Sequence, residues 1–81
     1  MENRIAVIGI IIENINSAEA VNSILHNYSN IIIGRMGLPY KERNVSVISV
    51  IVDADSDKIS ALTGTLGKVK DVAVKAAISK R

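Results

Sequence analysis

The chain has no cysteine, no phenylalanine and no tryptophan, and only one histidine, one proline and two tyrosines in 81 residues. Each scarcity removes a class of function. Without cysteine there is no disulfide, no thiolate metal site and no CxxC pair of the copper-chaperone kind. With His26 as the sole imidazole, a transition-metal centre would need carboxylates or symmetry-related copies; no metal and no cofactor are expected. RNA-recognition sheets need aromatic platforms, and neither tyrosine lies on a clear strand run. No apolar run approaches the roughly 20 residues that span a bilayer. The longest, Ile5–Ile12, has strand length. No arginine-rich leader or signal pattern precedes it, so the expected compartment is the cytoplasm. The net charge of +2 is too small to mark a concentrated basic face for nucleic acid.

What remains is aliphatic. Residues of the apolar class make up 48% of the chain, so the core must be built from Ile, Val, Leu and Ala. The length fits one domain, residues 1–81. A chain this short buries a modest core, which leaves packing against further copies as the available support.

The organising stretch is Ile31–Val52, IIIGRMGLPYKERNVSVISVIV. Two β-branched runs flank a polar connector around Pro39–Asn44, short enough to fold one run beside the other as a hairpin. Before it, Arg4–Ile12 is apolar on both faces, the pattern of a central strand covered on both sides; Gly9 leaves a gap on one of them. Asn16 or Ser17 offers a helix cap; with Asn16 as cap, Glu19 falls at the third helical position and fits a loose capping box. Val21, Ile24, Leu25 and Tyr28 then form one helical stripe. In the second strand, Gly34 and Gly37 suggest a bulge or a close backbone approach.

After the hairpin, the acidic turn Asp53–Asp57 opens a second helix, where carboxylates complement the helix dipole. Its stripe is Ile59, Leu62 and Leu66, and Gly67 is a natural stop. Val72–Ile78 is the last strand; Lys75 on its second side places it at an edge. The tail Ser79–Arg81 is expected to fray.

The order β-α-β-β-α-β predicts an α+β, ferredoxin-like sandwich, a four-stranded antiparallel sheet with two helices on one face. The first three strands are apolar on both faces, so a contiguous patch would stay open on the face without helices. No loop is long enough to cover it. Homo-oligomerisation, as dimer or tetramer, is the expected solution.

Three blocks carry a resemblance to a known family: RIAVIGII at Arg4–Ile11, ILHNYSNIIIGRMGLPYKERNVSVISVIVDA at Ile24–Ala54, and SALTGTLGKVKDVAVKAA at Ser60–Ala77. IIGRMGLPY, Ile32–Tyr40, is the most specific. Together they resemble the small iron-only hydrogenase system regulators, also described as hydrogenase-associated transcriptional regulators. The layout is ACT-like and similar to the regulatory domain of nickel-responsive repressors. The resemblance implies a regulatory role around assembly or expression of [FeFe]-hydrogenase. The nickel-responsive repressors carry a separate ribbon-helix-helix DNA reader, for which this chain has no room. By a rough match, Gly37, Pro39 and Val45 stand at their nickel-ligand positions, and none offers a side-chain ligand. In ACT-type domains the ligand sits near the turn after the first strand, here Glu13, Asn14, Ile15 and Asn16, often between subunits.

Candidate chemistry is sparse. Glu13 or Asn14 could hold an ammonium or amide group by hydrogen bonds. Arg35 interrupts an apolar strand, so it lies at an edge or an oligomer seam, or binds an anion. Tyr40 heads the charged hairpin tip YKERN, a solvated loop or a partner-binding tip. Ligand-binding candidates are therefore Glu13, Asn14, Arg35 and Tyr40. His26 is read as the partly exposed flank of the first helix. DADSD resembles the start of a calcium loop, but Lys58 and Gly64 replace the required glycine and glutamate. ENIN is not an acylphosphatase-type phosphate loop, and no nucleophile–base–orienter set is visible, so no enzyme activity is expected.

The leading expectation is a non-enzymatic regulatory domain acting through a small-molecule effector or a protein partner, with no membrane attachment. The alternatives are a direct DNA-binding transcriptional regulator and a purely structural oligomerisation module. DNA binding by this chain alone is not expected. It would show as a salt-sensitive shift on candidate promoters.

Overall fold

The computed structural model describes residues 2–81. Four strands and two helices follow in the order β1 (Arg4–Ile12), α1 (Ala18–Asn27), β2 (Ile32–Tyr40), β3 (Val45–Ala54), α2 (Ser56–Gly67) and β4 (Val72–Ile78). Short 3-10 turns at Ile15–Ser17, Ser29–Ile31 and Lys41–Arg43 join them. The strands form one antiparallel sheet in the order β2-β3-β1-β4, with the hairpin on one side and β4 at the far edge. This is the ferredoxin-like arrangement. Among the described residues no helix is long and apolar enough to cross a membrane.

The period of two along each strand divides the sheet cleanly. Ala6, Ile8, Ile10 and Ile12 of β1, with Ile48, Val50, Val52 and Ala54 of β3, face the helices and are buried. Val21 and Leu25 of α1 and Ile59, Leu62 and Leu66 of α2 close over them. Val72 and Val74 pack at the margin of this core. The helical spacing read from the sequence thus supplies the cover for one face. On the other face, Ile5, Val7 and Ile11 of β1 and Val47 and Ile51 of β3 stay exposed.

Several local expectations change. Pro39 and Tyr40 are paired within β2, opposite Ser46 and Val45, and the tip is reduced to Lys41–Asn44. An edge strand tolerates Pro39 because its missing N–H need not join a ladder. The bulge lies between Ile32 and Gly34, while a Cβ at Gly37 would meet nothing within 4 Å, so close approach does not explain that glycine. β3 runs two residues further than the Val45–Val52 read from the sequence. Helix α2 is capped by Asp55, whose side chain accepts from the Lys58 N–H at 2.9 Å. Gly67 ends α2 without a left-handed turn; positive φ falls on Asn44 (54°) and Asp71 (59°) instead. Ser79 is tied to β1: its N–H donates to the Ile5 carbonyl at 2.8 Å, and its hydroxyl accepts from the Ile5 N–H at 3.0 Å.

Candidate functional site

At the end of the sheet where β1 leaves and the hairpin tip begins, a cleft of about 410 Å³ opens. Ile12, Ile15, Pro39 and Val45 give it apolar walls. Glu13, Asn14, Tyr40, Lys41 and Asp71 supply its polar rim. A concave, largely apolar surface with a few polar groups is the usual form of a small-ligand site.

The rim is built from two turns stitched together. Asn14 turns the chain out of β1: its Oδ1 accepts from the Asn16 N–H at 2.9 Å, and its Nδ2 donates to Asp71 Oδ2 at 3.2 Å. The Glu13 N–H donates to the Asp71 carbonyl at 2.9 Å. Ser17, the one buried polar side chain in this region, donates its hydroxyl to the Lys70 carbonyl at 2.6 Å. These bonds lock the turn after β1 to the turn before β4. They also displace the capping box expected of Asn16 and Glu19: Asn16 lies inside the 3-10 turn, and Ser17, at the start of α1, makes no side-chain cap. Its hydroxyl is committed to a tertiary contact, and Asn14 caps the preceding 3-10 turn.

The four candidate residues do not converge on one point. Glu13, Asn14 and Tyr40 border the cleft, with the Tyr40 hydroxyl donating to Glu42 Oε2 at 3.3 Å. Asn14 has both ends of its amide engaged in the framework, so its part is to shape the rim. Arg35 lies in a neighbouring hollow of about 250 Å³, which shares Ile12, Pro39 and Ser46 with the cleft. Its side chain is exposed on the helix side of β2, and its guanidinium donates to Asn22 Oδ1 on α1. The edge reading of Arg35 accounts for this contact. His26 is exposed in the last turn of α1.

The comparisons with known proteins agree with this architecture. The model of the TM1266-like family, described as "Iron-only hydrogenase system regulator, putative", matches residues 4–76. The solved structure of the uncharacterized protein TM1266 from Thermotoga maritima superposes with a TM-score of 0.92 at 35% identity. That alignment covers 98% of this chain and 100% of the other. No curated protein matches. The chain belongs to the TM1266-like family.

In this TM1266-like chain the rim also contains Lys41, read from the sequence only as part of the hairpin tip, and Asp71, which sequence reasoning passed over. Lys41 sat inside the tip and carried no signal of its own. Asp71 did carry one. It stands between a lysine-rich turn and a β-branched run, and aspartate is among the few residues that tolerate a left-handed backbone. A positive φ there aims its carboxylate back at Asn14.

Proposed function

We propose that this chain is a non-enzymatic, cytoplasmic regulatory domain of the iron-only hydrogenase system. It works as a homo-oligomer and responds to a small effector or a protein partner received at the cleft beside Glu13, Tyr40 and Asp71. The single observation that supports this reading most is the helix-free face of the sheet. Ile5, Val7, Ile11, Val47 and Ile51 lie exposed on adjacent strands, flanked by Met36 and Leu38. An apolar patch of this extent marks an interaction surface. Family membership supplies the regulatory context. The cleft supports the effector half of the reading, since its walls offer apolar contact and its rim offers both signs of charge.

Two measurements test it. Sedimentation velocity at micromolar concentration is expected to give a multiple of the 8.7 kDa chain mass; a clean monomer rejects the oligomer. A thermal-shift screen of metabolites, nucleotides and the soluble hydrogenase-maturation proteins is expected to find a binder that raises Tm, because a ligand of the native state stabilises it. A screen in which nothing moves Tm favours a purely structural module.

A further inference from the structure

The open face of the sheet has a shape as well as a polarity, and the shape selects how a second copy sits on it. The registers place Met36, Ser49, Gly9 and Lys75 side by side in one row across the four strands. Ser49 and Gly9 make the middle of that row low. A Cβ at Gly9 would meet nothing nearer than the Lys75 carbonyl at 3.8 Å, so among the described residues no side chain fills the gap. On either side runs an apolar ridge. One holds Ile51 and Val7 and ends in Ala77; the other holds Leu38, Val47 and Ile11 and ends in Ala73. The face is therefore tapered. Its β2 margin is bulky, with Met36 71% and Leu38 59% exposed, and its β4 margin carries only alanines beside Lys75.

We infer that two copies pack these faces together about a two-fold axis lying between the sheets and parallel to β1 and β3. This rests on the oligomeric reading above and adds its geometry. Such an axis lays the bulky β2 margin of one copy over the small β4 margin of the other. Met36 then covers the aliphatic stem of the second copy's Lys75, Leu38 covers its Ala73, and Ile51 meets its Val7. The other in-plane two-fold, running across the strands, sets Lys75 against Lys75 and alanine against alanine. That leaves both a like-charge contact and a void. At exposed fractions of 38–71%, the large apolar residues of this face present roughly 600 Å², most of the ~800 Å² a standard interface takes from each partner. Aligned sheets stacked about 10 Å apart are a common packing.

Because the chain has no cysteine, single-cysteine variants read the axis directly. M36C and K75C are prepared separately, checked for native circular dichroism, mixed, and treated with a bismaleimide spanning about 10 Å, the spacing of packed sheets. The mixture is expected to give a species of two chains, and neither variant alone is. Self-linking of M36C, or no link in any combination, overturns the axis while leaving the oligomer standing. A wild-type monomer in sedimentation overturns both. A77R tests the face, which both axes bury, without cysteine: it is expected to weaken association about tenfold or more with the circular dichroism unchanged. Unaltered association overturns the assignment.

Discussion

Strand β1 presents nearly the same residues to two different fates. Ile8 and Ile10 are fully buried under the helices, while Ile11, one residue on, is 43% exposed. Within β1 both faces are built of isoleucine, valine and small residues, and they differ most in what covers them. The inner face has α1 and α2; among the described residues, nothing of the chain covers the outer face. Its apolar character is therefore not required by the fold of the chain. The second copy proposed above accounts for it, and that asymmetry can be probed one substitution at a time.

The largest effect belongs to the inner face. Ile10→Ala removes buried methyl groups from a site closed on all sides, and such truncations cost about 2–5 kcal/mol. Urea unfolding at fixed protein concentration measures it; a loss below about 0.5 kcal/mol, the size of a surface change, would mean that the helices do not seal this face. Next comes the outer face. Val7→Lys is expected to leave circular dichroism native and to abolish self-association, because an unpaired charge buried in an interface costs several kcal/mol. A Tm that depends on concentration in the wild type should become independent of it in the variant. If Val7→Lys instead unfolds the chain, the two faces are not separable and the comparison breaks.

Much of this contrast was legible in the sequence. β1 and β4 fall where the apolar runs begin and end, Arg4–Ile12 and Val72–Ile78, because β-branched alternation is a strong local signal. The stripe Ile59, Leu62 and Leu66 is buried as its spacing predicts. The ends of elements were harder to read. Asn14, Asn16 and Ser17 can all cap a helix, and the choice among them is made by Asp71 and Lys70, more than fifty residues away. Tyr40 resembled a loop residue beside four polar neighbours, yet pairing with Val45 holds it in β2. The cleft was half legible: Glu13, Asn14 and Tyr40 border it, whereas Arg35 belongs to the next hollow. A local pattern does not say which of two polar turns a distant strand will bring together.

A smaller effect sharpens the account of the cover itself. Asp55→Ala removes the side-chain cap from α2, which seals Ile59, Leu62 and Leu66 over the sheet. The expected loss is about 1 kcal/mol. It should appear in urea unfolding with no change in oligomeric state, since α2 lies on the opposite side from the open face. A change in sedimentation would show instead that the two faces are coupled.

The smallest effect tests where the inner cover stops. On the helix side of β2, Ile32 is half-buried, but Arg35, Gly37 and Pro39 are exposed, so the outer half of that edge strand extends beyond the helices. Arg35 bridges the gap with one hydrogen bond to Asn22, whose own amide donates to the Ala18 carbonyl at 3.0 Å. An exposed polar contact of this kind contributes little, because water replaces it when it is lost. Arg35→Ala should therefore change stability by no more than about 1 kcal/mol in urea unfolding. Self-association should be unchanged, because Arg35 lies on the side away from the open face. A loss of several kcal/mol would mean that the guanidinium stem is part of the cover, moving the boundary of the inner core outward to the edge of the sheet.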